Sequence, residues 1–178
     1  IRQLEVSEGD DNPYFKVNEN ISNNTIKIDG KELINYSSYN YLGLSGDANI
    51  NSLVKESIDL YGTSVSASRV ISGEKPIHRQ LEKEIADMIG VSDSIVFVGG
   101  HATNVNTISH LFGENDLILC DSLSHNSILE GCEFSGAKII PFAHNNWQAL
   151  DDLLTTQRCN FQQVLIVIEG IYSADGDI

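Results

Sequence analysis

Residues 117–142 read LILCDSLSHNSILEGCEFSGAKIIPF, and this stretch decides the fold. LILC (117–120) and KIIPF (138–142) are short apolar runs of the length and composition of buried strands. Between them, HNSILEGCEFSG (125–136) is a helix candidate closed by a glycine. Downstream the order repeats, with WQALDDLLTT (147–156) as a helix and VLIVI (164–168) as a strand. Upstream it repeats again, with SIVFV (94–98) as a strand and TNVNTISHLFG (103–113) as a helix. Such alternation predicts an α/β fold: a doubly wound, mainly parallel sheet whose ligand crevice lies at the carboxyl ends of the strands.

Further upstream, IHRQLEKEIADMIG (77–90) puts Leu81, Ile85, Met88 and Ile89 on one helical face and ends at Gly90. INSLVKESIDLYG (50–62) spaces Ile50, Leu53, Val54, Ile58 and Tyr61 in the same way and stops at Gly62. The polar segment 62–76 between them has no period and reads as a loop. NTIKIDGKELINYS predicts a hairpin turning at Asp29 and Gly30. The expected division is an N-terminal arm over residues 1–45 and, over 46–178, the first part of a larger ligand-binding domain.

The 178 residues carry a formal charge of −14 with only 11 Lys and Arg, which argues against a nucleic-acid-binding role, because phosphate backbones need a basic face. No apolar run is long enough to cross a bilayer, and no membrane role is expected. Cys120, Cys132 and Cys159 are odd in number and lack metal-ligand spacing, so they read as reduced thiols of a cytoplasmic protein, with no metal expected. The N-terminus shows no basic region followed by an apolar run, so no leader peptide is expected.

The chemistry should sit just after each strand. GGHATN (99–104) leads into a helix, where a glycine pair admits close approach and free N–H groups favour an anion; a plain strand-to-helix turn is the alternative. DSLSHNS (121–127) sets His125 at the crevice rim, either as a surface or capping residue or as a ring that stacks on a planar cofactor or exchanges protons. EGIYSADGD (169–177) is a third polar cluster. SYNYLGL (38–44) reads by itself as a strand end entering a turn. His78, His110 and His144 share no ligand spacing and read as structural. No G-x-S-x-G elbow occurs, which disfavours a serine hydrolase.

Six blocks, SSYNYLGLSG (37–46), 61–90, VFVGGHATN (96–104), DSLSHNSI (121–128), FAHNN (142–146) and IEGIYSADGD (168–177), together resemble the α-oxoamine synthases in order and spacing. These are fold-type I pyridoxal-phosphate enzymes. The resemblance implies pyridoxal 5'-phosphate as cofactor, with Gly100 and His101 holding its phosphate, His125 stacking on its ring and touching substrate, and Ser173 near its phenolic oxygen with Glu169 in support. Asn40 corresponds to a residue near the amino-acid carboxylate, and 63–72 to a loop that reaches a partner subunit, so a homodimer is implied. The implied reaction condenses an amino acid with an acyl thioester, with loss of carbon dioxide, to an α-amino ketone.

The wording of NPYF (12–15), SSYNYLGLSGD and GGHATNVNTISHLFG resembles members embedded in polyketide assembly lines, which take the acyl group from an acyl carrier protein. A coenzyme A-dependent synthase is the alternative, and a non-catalytic remnant or interaction module is the reading from another class. Two departures stand out. The family's cofactor-bearing lysine, with its partner aspartate and histidine, belongs beyond Asp177, so these residues are expected to be inactive alone. Where coenzyme A-dependent members often carry an arginine, this sequence reads NPYFKV, and Lys16 does not inherit that role.

Overall fold

The computed structural model describes residues 14–178, which group into two compact units dividing between Lys75 and Pro76. In the first unit the hairpin forms as its turn chemistry predicts. Strands β1 (Thr25–Ile28) and β2 (Lys31–Ile34) pair antiparallel, and Asp29 and Gly30 both take positive φ, 50° and 72°, as a type I′ turn requires. Helix α1 (Ala48–Tyr61) begins on Asp47, whose carboxylate accepts the N–H groups of Asn49 (2.9 Å) and Ile50 (3.0 Å). It ends at Gly62, where φ is 78°.

The segment read as a loop contains one π turn, Arg69–Gly73. A bidentate ion pair closes it: Arg69 Nε lies 2.5 Å from Glu74 Oε2, and Nη2 lies 2.9 Å from Oε1. A Cβ on Gly73 would sit 2.1 Å from the Ala67 carbonyl oxygen, so no other residue fits there.

The second unit opens with helix α2 (Pro76–Ile89) and helix α3 (Gly100–Leu111). Then follow strand β3 (Leu117–Asp121), helix α4 (Asn126–Ser135), strand β4 (Lys138–Phe142), helix α5 (Trp147–Gln157) and strand β5 (Val164–Val167). The sheet is parallel in the order β4-β3-β5, with Leu117 opposite both Lys138 and Val164. The chain leaves the centre for one edge and crosses back to the other, so right-handed connections put α4 and α5 on opposite faces.

Side-chain alternation along β3 confirms the double winding. Ile118 joins Ile108, Ile128 and Cys132 beneath α3 and α4, whereas Leu117 and Leu119 join Phe142, Leu150 and Leu153 beneath α5. Leu117, Ile118 and Leu119 are wholly buried, each contributing about 1.5–3 kcal/mol of burial. Helix α4 meets α3 at Gly131, where a Cβ would lie 3.0 Å from the Asn104 carbonyl oxygen and 3.1 Å from Ile108 Cβ.

Two boundaries differ from expectation. SIVFV is not a strand: Val96 N–H donates to Glu82 Oε1 on α2 (3.1 Å), and Ile95 and Val98 are 70% and 98% exposed. A strand exists only in a ladder, and the described residues offer this segment no strand partner. Helix α3 starts at Gly100, not 103, because its first turn, GHAT, is polar and contributes nothing to the apolar period.

Candidate active site

Two helix N-termini meet beside the carboxyl end of β3. At α3 the N-cap is Gly99, no side chain caps the first turn, and the space over Gly99 and Gly100 is open, since a Cβ at either would meet nothing within 4 Å. The first N–H groups of the helix therefore face an uncovered space with partial positive charge. His101 Nε2 lies 3.4 Å from Glu130 Oε2 on α4, and Asn104 Nδ2 donates to Ser127 Oγ at 3.0 Å. These contacts tie the first two turns of α3 to the first two turns of α4.

His125 is the N-cap of α4. Its Nδ1 accepts the Ser127 N–H at 3.2 Å and lies 2.7 Å from the Ser127 hydroxyl, which, having accepted from Asn104, is free to donate. With Nδ1 as acceptor, the ring proton sits on Nε2, in an exposed ring. Of the two readings left open by the sequence, the structure shows the capping one: His125 caps a helix, and its ring is exposed. Glu169, expected beside Ser173, has a different contact, its Oε1 accepting the His125 backbone N–H at 2.5 Å. Next to His125, the Ser124 hydroxyl is buried with no partner among the described protein groups.

Ser173 is exposed in the turn that follows β5, in the same loop as Glu169. Asn40 lies in the first unit, apart from this cluster in the chain's division. Its amide is already used: Oδ1 accepts the Ser45 N–H (3.0 Å), and Nδ2 donates to Asn23 Oδ1 (3.2 Å) and the Ser22 carbonyl (3.4 Å). Glu169 is thus bonded directly to His125, Ser173 lies four residues along from Glu169, and the helix opened by Gly100 and His101 is joined to the one His125 caps through Asn104–Ser127 and His101–Glu130.

Sequence reasoning read His144 as structural and gave Asp121 and Asp177 no role of their own. Buried Asp121 accepts from Leu123 N–H (2.8 Å), Asn145 N–H (3.0 Å) and His144 Nδ1 (2.8 Å). Burial pushes its carboxyl up, but these hydrogen bonds and the His144 charge outweigh that and hold it below the usual carboxylate range. His144 Nε2 lies 3.2 Å from Asp177 Oδ2, and its ring meets Tyr172 edge-on at 4.5 Å. The bond to Asp121 raises the His144 pKa against the opposing effect of burial, with Asp177 adding to the rise. The signal was available in FAHNN, whose polar residues are all engaged. His144 bridges, Asn145 takes φ 53° and donates to Asp121, and Asn146 caps α5 through Ala149 N–H.

Residues 31–178 match the family model described as Aminotransferase class I and II. The chain belongs to this family. A putative 8-amino-7-oxononanoate synthase of Trichodesmium erythraeum is 37% identical to this family member over 163 residues, covering 92% of the chain and 42% of the relative. Sphingomonas wittichii serine palmitoyltransferase superposes with a TM-score of 0.89 at 33% identity, over 94% of this chain and 42% of that one. A high-resolution structure of SPT with PLP gives 0.88 at 32% identity, over 94% and 42%. These relatives are α-oxoamine synthases, so the resemblance carried by the sequence blocks holds. The chain spans about two-fifths of the length of the proteins it matches.

Proposed function

We propose that these residues are part of a pyridoxal-phosphate-dependent acyltransferase that condenses an amino acid with an acyl thioester, releasing carbon dioxide and an α-amino ketone. The observation that carries this reading is the pairing of an uncapped, glycine-opened N-terminus of α3 with the tautomer-fixed ring of His125, joined through Asn104 and Ser127. The residues fit the cofactor: an open anion cradle, a flat exposed ring, and a buried hydroxyl at Ser124 with no partner among the described residues.

Pyridoxal phosphate, when bound, supplies an electron sink for negative charge at the substrate Cα. The backbone of Gly100 and His101 would hold its phosphate. His125 would stack on its ring, with Glu169 fixing the backbone beneath and Ser127 fixing the ring's orientation. Ser173 would hydrogen-bond the phenolic oxygen, and Asn40 would shape the wall for the amino-acid carboxylate through the turn it holds. In this reading residues 1–45, of which 1–13 lie outside the described residues, would be an arm and 46–178 the start of the cofactor domain in a cytoplasmic homodimer. The acyl donor is an acyl carrier protein in polyketide assembly, supported by the wording of 12–15, 37–47 and 99–113. A coenzyme A donor is the second reading, supported by the synthases among the relatives.

The test is the visible spectrum of the full-length protein purified with pyridoxal phosphate. A yellow band that borohydride abolishes is expected; a colourless protein that takes up no cofactor would leave the remnant reading. The Gly100→Ala variant should fold as wild type, because its Cβ meets nothing, yet bind the cofactor roughly tenfold more weakly as the methyl group fills the anion cradle. Product from carrier-bound but not from coenzyme A-bound acyl groups decides the donor.

A further inference from the structure

The bridge from Asp121 through His144 to Asp177 lies outside the residues given roles above, and it joins three parts of the second unit. Asp121 ends β3, His144 follows β4, and Asp177 closes the loop after β5. That loop carries Glu169 and Ser173, and it is closed by Tyr172 N–H to the Asp177 carbonyl and Gly176 N–H to the Tyr172 carbonyl, both 2.8 Å. We propose that the protonated His144 ring is a clasp that positions the loop carrying Glu169 and Ser173, and that it opens when the ring loses its proton.

The argument is one of donors and acceptors. Each ring nitrogen faces a carboxylate oxygen, at 2.8 Å for Asp121 and 3.2 Å for Asp177, and carboxylates accept only. Both contacts are hydrogen bonds only while both nitrogens carry protons. On deprotonation the proton remains at Nδ1, where buried Asp121 is fixed by two backbone donors, and a lone pair at Nε2 turns toward Asp177. The exposed end of the bridge is the one that releases, since the Asp177 side chain is 54% exposed and Asp121 is buried. Among the described residues the ionisable groups against the ring are Asp121 on β3 and Asp177 and Tyr172 in the loop, and Glu169 at the strand end lines a pocket of about 240 Å³ with Asp121 and Tyr172. None of these offers a positive charge to replace the imidazolium. His144 is thus a positioning residue; only the use made of Ser173 and Glu169 rests on the proposed function.

Hydrogen–deuterium exchange of the peptide spanning 169–177 in the full-length protein reads the clasp without cofactor or turnover. Rates are taken relative to the unstructured-peptide rate at each pH. In the wild type, protection should fall roughly tenfold as pH rises through the His144 titration, the loss of one charge-assisted hydrogen bond. Asp177→Ala, which leaves Nε2 no acceptor, should exchange fast at every pH, and His144→Gln, whose amide does not titrate, should show no pH step. A flat wild-type profile, or a pH step that survives in Asp177→Ala, overturns the proposal. Because Asp177 is exposed, its variant decides the matter even where His144→Gln fails to fold. A failed cofactor spectrum alongside a normal exchange step would sink the enzyme reading and leave the clasp standing.

Discussion

Asp121 shows how much one buried carboxylate organises. It accepts from two backbone N–H groups and one imidazole, making an Asx turn into the helix that His125 caps and anchoring Asn145 in a left-handed conformation. An asparagine in its place would present an NH₂ group to these donors and leave at least one unpaired. Asp121→Asn should therefore cost about 2–3 kcal/mol, read as a lowered urea midpoint at unchanged slope. Residue roles were legible only where a local rule applies. His125 was found because it follows a strand and begins a helix, and Gly100 because a glycine pair precedes a helix. Asp121 and Asp177 were not found, because their meaning arises from a contact with His144 across 23 and 33 residues, which no period or spacing encodes.

Among the elements, β3 and β4 were legible because apolar runs with polar ends bury on both faces of a parallel sheet. SIVFV has the same composition but stays out of the sheet, because strand propensity expresses fit to a neighbour that the described residues do not contain. The helix pair α3–α4 was legible as two helices but not as a pair, since the closeness of their approach depends on Gly131. Its absent Cβ would lie 3.0–3.2 Å from Asn104 O, Ile108 Cβ and Val105 Cα. Gly131→Val should destabilise by about 1–3 kcal/mol through overpacking, and it should disturb the Asn104–Ser127–His125 chain as well. Gly113→Ala, where a Cβ meets nothing, should stay within about 0.5 kcal/mol and serves as the comparison in thermal melts.

For the whole molecule, charge and pH act together. Asp121 has a folded pKa below its ordinary 3.8, so its contribution is complete above that value and is lost as pH falls through the lowered one. His144 has a folded pKa above its ordinary 6.5, so its contribution is complete below 6.5 and is lost as pH rises through the raised one. The two contributions are both complete between pH 3.8 and 6.5. The formal charge of −14 pushes in the same direction, because self-repulsion grows with net negative charge as pH rises. Stability should therefore peak on the acid side of neutrality, and melting temperatures recorded across pH should show that maximum. Salt separates the two causes. Screening relieves diffuse repulsion between exposed charges but acts weakly on the half-enclosed Asp121–His144 contact, so added salt should raise the alkaline limb and leave a residual slope there. That residual slope should vanish in His144→Gln; a slope that persists in the variant would assign the alkaline loss to net charge alone.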